Sequence, residues 1–164
     1  MKLSTPGFER KIVSRAALAE RGALLARPIV FTNGVFDILH RGHVTYIAQA
    51  RALGASLVIA INSDASVRQL GKGSDRPINS EADRAALVAA LQDVDLVTVF
   101  EEQVPLVPLA IVRPDIYIKG GDYVVESLPE AALVRSWGGR SASLAFVHER
   151  STSDLIARVR ESRS

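Results

Sequence analysis

Five short runs of apolar residues punctuate the chain: Ile29-Val30-Phe31, Leu57-Val58-Ile59-Ala60-Ile61, Leu96-Val97-Thr98-Val99-Phe100, Ile116-Tyr117-Ile118 and Leu144-Ala145-Phe146-Val147. They are continuous rather than alternating, the pattern of strands covered on both faces. Between them the period changes to that of amphipathic helices. Ser14 is placed to cap a helix over Arg15–Ala26, with Ala17, Leu18, Leu24 and Leu25 as its apolar positions, and Pro28 ends it. Gly42–Leu53 carries Val44, Ile47, Ala48 and Leu53 on one stripe. Asn79 or Ser80 caps Glu81–Leu91, in which Leu87, Val88 and Leu91 are core candidates. Pro105–Val112 opens on proline, Leu128–Trp137 stops at Gly138-Gly139, and Ser151–Arg160 forms the last helix. Residues 1–13 read as a loose arm.

Strand and helix alternate throughout, which predicts an α/β fold: a Rossmann-like, doubly wound, five-stranded parallel sheet with helices on both faces. Residues 1–27 are expected to form an arm and helix, and residues 28–164 the main domain. In such sheets ligands sit beyond the carboxyl ends of the strands. Polar, glycine-rich segments do follow those ends.

Composition narrows the function. The 164 residues carry 20 Lys plus Arg against 18 Asp plus Glu, a formal net charge of +2, which argues against a nucleic-acid partner. Cysteine is absent, so disulfides, thiolate nucleophiles and zinc–cysteine sites are excluded. No secretory signal and no apolar run of membrane-spanning length is visible, and the expectation is a cytoplasmic protein without a membrane partner.

The segment after the first strand is Thr32-Asn33-Gly34-Val35-Phe36-Asp37-Ile38-Leu39-His40-Arg41-Gly42-His43. Gly34 permits a tight turn that brings backbone amides towards an anion. His40 and His43, three apart, share one face at a helix start, where free N–H groups and the positive dipole end also lie. Gly42 leaves room for a ligand against the backbone. Two imidazoles there suit a polyphosphate and the charge that develops as it is cleaved. With His148 the only other histidine, zinc ligation by the pair is a poor reading.

This segment resembles the signature of the HxGH nucleotidylyltransferase superfamily, Gly-x-Phe-Asp-x-Leu-His-x-Gly-His. Further matches follow in Ile61-Asn62-Ser63-Asp64, in Gly71-Lys72-Gly73-Ser74-Asp75-Arg76-Pro77, at Arg84, in Lys119-Gly120-Gly121-Asp122-Tyr123 and in Ser151-Thr152-Ser153. Over residues 28–160 the chain is similar to the D-glycero-β-D-manno-heptose 1-phosphate adenylyltransferases, in a stand-alone form lacking the sugar-kinase half found in many organisms.

The resemblance implies transfer of AMP from ATP to heptose 1-phosphate, giving ADP-heptose and pyrophosphate for lipopolysaccharide core biosynthesis. It implies catalytic roles for His40, His43 and Lys72, the last on a mobile glycine-rich loop. Thr32, Asn33, Gly34, Phe36, Gly42, Arg84, Lys119, Gly120, Ser151, Thr152 and Ser153 would meet the nucleotide and its phosphates. Asp37, Asp64, Gly121 and Asp122 would meet the sugar phosphate, with Asp37 alternatively ordering the loop and Arg84 alternatively pairing with an acidic neighbour. Mg²⁺ would bridge the ATP phosphates with few direct protein ligands and no dedicated metal site, and a homo-oligomer is expected. The chain departs from its relatives in two places. The arginine that glycerol 3-phosphate cytidylyltransferases carry before the serine–threonine segment is missing here, where only Arg150 and Arg158 lie nearby, and Ser-Thr-Ser replaces Ser-Thr-Thr. A cytidylyltransferase acting on glycerol 3-phosphate or a similar alcohol phosphate, and a non-catalytic nucleotide-binding module, are the alternatives.

Overall fold

The computed structural model describes residues 4–71, 75–121 and 124–147, together with 155, 156 and 159. Its centre is a sheet of five parallel strands in the order β3-β2-β1-β4-β5. The strands are β1 (Ile29–Gly34), β2 (Ser56–Asn62), β3 (Leu96–Phe100), β4 (Ile116–Gly120) and β5 (Arg140–Leu144). The helices are α1 (Arg15–Ala23), α2 (Arg41–Arg51), α3 (Asp64–Gln69), α4 (Glu81–Ala89), α5 (Leu106–Val112) and α6 (Pro129–Arg135). The doubly wound α/β architecture read from the sequence is what the chain adopts, and its strand order reverses between β1 and β4.

The core lies on both faces of the sheet because β2 is buried along its whole length and β1 over its first four residues. One cluster joins Val30, Leu57, Ile59 and Ile61 to Tyr46 and Ile47 of α2 and to Ala85 and Val88 of α4. The other joins Phe31, Val58, Ala60 and Tyr117 to Leu18 of α1, Leu109 and Val112 of α5, and Val134 of α6. Helix starts follow the predicted caps: the hydroxyls of Ser14 and Ser80 accept from the amides of Ala17 and Asp83. Ser63 caps α3 in the same way, accepting from the Ser66 amide, although the sequence pattern gave no separate helix there.

Four expectations require correction. The fifth strand is Arg140–Leu144, not the apolar run 144–147. It is an edge strand paired with β4 alone and largely exposed, so it has no need of an apolar run. Residues 1–13 are not all a loose arm. Gly7–Lys11 form a 3₁₀ turn, Ile12 bridges Val97 of β3, and Val13 is buried. Helix α2 buries Gly42, Tyr46, Ile47 and Ala50 and leaves Val44 and Leu53 in solvent, because Tyr46 supplies the inward bulk that the aliphatic stripe was expected to supply. Leu24 and Leu87 likewise face outward rather than into the core. The predicted helix 151–160 lies mostly outside the described residues.

Leu18 is fully buried against the second cluster, which fastens α1 to the sheet. Leu18→Ala should therefore lower unfolding stability by roughly 2–4 kcal/mol, read as a reduced urea midpoint at unchanged slope. A midpoint equal to that of the unaltered protein would mean that α1 does not belong to the core.

Candidate active site

A cleft of about 400 Å³ opens over the carboxyl ends of the strands. Asn33 and Gly34 reach it from the end of β1, Asn62 from β2, and Lys119 and Gly120 from β4. This is where a reversal of strand order leaves adjacent loops splayed apart. The β1–α2 loop and α2 add Val35, Phe36, His43 and Tyr46; Leu70, Gln103 and Phe146 close the rim.

The two histidines stack. Their ring centroids are 3.9 Å apart with planes 23° from parallel. His40 is the N-cap of α2, yet its side chain makes no capping bond, so the amides of the first turn stay available to a ligand. Phe36 packs edge-on to His43 at 5.3 Å. Burial, followed by the neighbouring His40 imidazole, lowers the pKa of His43 to about 4, against a weaker opposing effect from the Ile38 backbone. At neutral pH the free cleft therefore holds His43 uncharged.

The loop that carries these rings is bent to an unusual degree. Phe36 adopts φ 49°, a left-handed backbone that costs a non-glycine residue about 1–3 kcal/mol. Its ring crosses Gly34 so closely that a Cβ there would lie 2.9 Å from Phe36 Cε2, which explains glycine at that position. Opposite, Phe146 and Tyr46 close over Gly120, where a Cβ would come within 2.7 Å of Phe146 Cζ. Tyr46 shares a 2.6 Å hydrogen bond with the Thr32 hydroxyl and donates to the Ile118 carbonyl at 3.3 Å. Burial raises its pKa, so the phenol stays protonated.

The structure separates the expected site residues into groups. His43, Asn33, Gly34, Phe36, Lys119 and Gly120 border the cleft, and His40 stacks on His43 from the helix start. Gly42 is buried in the first turn of α2, and Gly121 follows β4 at φ 107° with its amide donating to Leu144. Thr32 is buried beneath the cleft, its hydroxyl engaged by Tyr46. Lys72, Asp122, Ser151, Thr152 and Ser153 fall outside the described residues.

Three of the expected ligand residues are bonded within the protein itself, Asp37 first among them. It is buried, accepts from Arg76 Nε at 2.6 Å, and accepts from the backbone amides of Ile78 and Asn79, each at 2.9 Å. These bonds tie the β1–α2 loop to the segment that enters α4. Arg84 is fully buried and donates to the carbonyls of Asn79 and Val35 and to the Asp64 carboxylate, the last two at 2.7 Å. Asp64 is its ion-pair partner. Sequence reasoning missed Asn62, Tyr46, Gln103 and Phe146. Asn62 could have been found as the polar residue that ends β2, and Tyr46 as the residue three beyond His43 on α2; Gln103 and Phe146 come from segments with no motif of their own.

Among the described residues, no three His, Asp or Glu side chains gather as metal ligands. With Asp37 and Asp64 both paired to arginines, the described cleft offers neutral amides, imidazoles and one ammonium. That donor set suits an anion which brings its own divalent ion, not a resident metal. No helix among the described residues is long and apolar enough to cross a membrane.

Comparison with known proteins places this geometry. Residues 31–158 match the cytidylyltransferase-like family. A D-beta-D-heptose 1-phosphate adenylyltransferase of Bordetella bronchiseptica is 58% identical over 161 residues, spanning 97% of this chain and 99% of that protein. The bifunctional protein HldE of Pelobacter propionicus is 49% identical over 146 residues, which cover 89% of this chain but only 30% of the longer protein. Among solved structures, the lipopolysaccharide core biosynthesis protein of Thermoplasma volcanium superposes with a TM-score of 0.62 at 30% identity, covering 74% of this chain and 98% of that one. A pantothenate synthetase of Thermus thermophilus shares the fold, with a TM-score of 0.59 at 21% identity over 93% of this chain and 70% of its own.

Arg84 distinguishes a structural from a ligand role. Arg84→Met should destabilise the fold by roughly 2–4 kcal/mol, since it strips a partly buried carboxylate and two carbonyls of their donor. Chemical denaturation gives the stability and calorimetry the ATP affinity. Unchanged stability with a large loss of affinity would return Arg84 to the ligand set.

Proposed function

The chain belongs to the cytidylyltransferase-like family, and on that premise we propose that it transfers the adenylyl group of ATP to D-glycero-β-D-manno-heptose 1-phosphate. The products are ADP-heptose, the donor used in lipopolysaccharide core assembly, and pyrophosphate. The observation that carries the substrate assignment is the 58% identity, end to end, with a heptose 1-phosphate adenylyltransferase. The stacked histidines at the start of α2 support the reaction type.

In this reading a phosphate oxygen of the sugar phosphate attacks the α-phosphorus of ATP in line. The bond from that phosphorus to the bridging oxygen breaks, and pyrophosphate leaves with the electron pair. No residue needs to become covalently bonded, so the protein acts by positioning and by stabilising charge. Imidazole N–H groups of His40 and His43 and the free amides at the α2 start face the charge that builds on the phosphoryl oxygens. Lys119 and Asn33 lie across the cleft from them, at the ends of β4 and β1. Mg²⁺ enters with ATP as part of the substrate. The aromatic wall made by Phe146 and Tyr46, whose rings meet at 5.4 Å beside Gly120, suits contact with a base from its cleft side, and the amides of Asn62 and Gln103 suit hydroxyls. Lys72 and Ser151 to Ser153 complete the phosphate site in this proposal.

Incubation with ATP or CTP and heptose 1-phosphate, followed by mass spectrometry and pyrophosphate measurement, tests the assignment. ADP-heptose and pyrophosphate should appear in equal amounts, and CTP should serve poorly. Preferred use of CTP with glycerol 3-phosphate would overturn the substrate assignment, and absence of pyrophosphate under all conditions would overturn the enzyme. His40→Ala and His43→Ala should each lower kcat by about 10²–10³ with smaller changes in KM, the scale of losing one preorganised donor. Near-normal kcat in both variants would remove the pair from the chemistry.

A further inference from the structure

Two hydrogen bonds at the ends of β2 and β3 share one hydroxyl. Ser66, in the first turn of α3, is fully buried, and its hydroxyl donates to the Glu102 carbonyl at 2.8 Å. The side-chain nitrogen of Asn62 donates to that same hydroxyl at 2.9 Å. The Ser66 backbone is itself fixed, since its amide donates to the Ser63 hydroxyl that caps α3. Glu102 is fixed too, its carboxylate held by Arg15 of α1 at 2.7 Å. Asn62 ends β2 and borders the cleft with only 4% of its surface exposed.

Counting hydrogens decides which way the Asn62 amide faces. A carbonyl oxygen can only accept, so the hydrogen between Ser66 and Glu102 belongs to the Ser66 hydroxyl. A hydroxyl has one hydrogen, so towards Asn62 it can only accept. The end of the amide against Ser66 is therefore the NH₂ group. The reverse orientation would set two lone pairs against each other with no hydrogen between them. With Nδ2 engaged by Ser66, Oδ1 is the end left for a ligand.

An acceptor at that place is selective. It opposes phosphate oxygens, which are acceptors themselves, and it attracts a hydroxyl, which can donate. ATP carries donors only on its base and ribose. The aromatic wall that suits the base stands beside Gly120 at the end of β4. In the sheet, β1 with the histidine loop lies between β4 and β2. The end of β2 is thus across the cleft from the base, and the donors left to meet it are the hydroxyls of the sugar phosphate.

We propose that Ser66 is a positioning residue: it locks the Asn62 amide with Oδ1 towards the cleft, where that oxygen accepts a hydroxyl of the sugar phosphate. The proposal rests on the adenylyl-transfer reading of the same cleft. It adds a residue that touches no substrate and commits Asn62 to the second reactant.

The test uses the full chain. Ser66→Ala removes the hydroxyl and frees the amide to turn over. KM for heptose 1-phosphate should rise about three- to tenfold, the worth of one hydrogen bond, while the calorimetric affinity for ATP stays within about twofold. Asn62→Ala should raise the same KM by at least as much. In the double variant Asn62→Ala/Ser66→Ala the increase should equal that of Asn62→Ala, because Ser66 acts only through that amide. A general structural effect of Ser66 would multiply with it instead. Hydrogen exchange of the Asn62 NH₂ protons in the unaltered protein, assigned in the NMR spectrum by their loss in Asn62→Ala, reads the lock without any Ser66 variant and should be slowed. Freely exchanging protons, an unchanged KM for heptose 1-phosphate in Ser66→Ala, an effect confined to ATP, or multiplying effects in the double variant would overturn the proposal. Calorimetric titration with heptose 1-phosphate reads its affinity without turnover. An inactive unaltered protein whose affinity for heptose 1-phosphate still follows this pattern would therefore refute the reaction and leave the positioning role standing.

Discussion

The cleft depends on one buried carboxylate. Asp37 sits in the β1–α2 loop with virtually no exposure, a position that an unpaired carboxylate could hold only at a cost of several kcal/mol. Its oxygens are matched by the Arg76 guanidinium and the amides of Ile78 and Asn79, and the Asn79 side chain donates back to the Asp37 carbonyl. Arg84 holds the same loop from the other side through the Val35 carbonyl. The loop is thus tied to the chain entering α4, some forty residues on. The loop so held carries Phe36 in its left-handed conformation, and Phe36 in turn lies across Gly34 and against His43.

Chemistry follows from that restraint. A stacked imidazole pair is tolerable in the free protein because burial and mutual repulsion keep His43 neutral. An arriving polyphosphate reverses the balance: negative charge beside the rings favours the imidazolium, and the free amides of the α2 start add to the attraction. The carboxylates nearest the motif, Asp37 and Asp64, are meanwhile paired with Arg76 and Arg84 and do not oppose the anion. The site is prepared for negative charge without carrying a large positive charge of its own.

Much of this was legible in the sequence, for physical reasons that also mark where reading fails. Four strands appeared as unbroken apolar runs because both of their faces are covered. The fifth did not, because its side chains are largely exposed and it is free to be Arg-Ser-Ala-Ser-Leu, while the apolar Phe146 beyond it serves the cleft. The histidine pair was visible because the residue that caps a helix and the one three positions on meet at the helix start. The partners of Asp37 and Arg84 were not, because each lies in a segment distant in sequence or on another element. A charged residue in a functional motif reads as a ligand until its counter-ion is located; here Asp37 is paired with Arg76, and Asp64 with Arg84.

The central claim is that the cleft holds a neutral His43 that gains charge only when phosphates enter. Its pKa of about 4 lies below the ordinary value near 6.5, so between those two values the free protein leaves the ring unprotonated. Nearby phosphates should raise the bound pKa towards or above the ordinary value. ATP binding must then take up protons in this window, and affinity must increase as pH falls through the bound pKa towards the free one. Calorimetric titration of the protein with ATP and excess Mg²⁺ at about pH 6, repeated in buffers of different ionisation enthalpy, measures that uptake directly. The account predicts a net uptake of up to about one proton per ATP bound, abolished in His43→Gln. No uptake, or an uptake that survives the substitution, would contradict it.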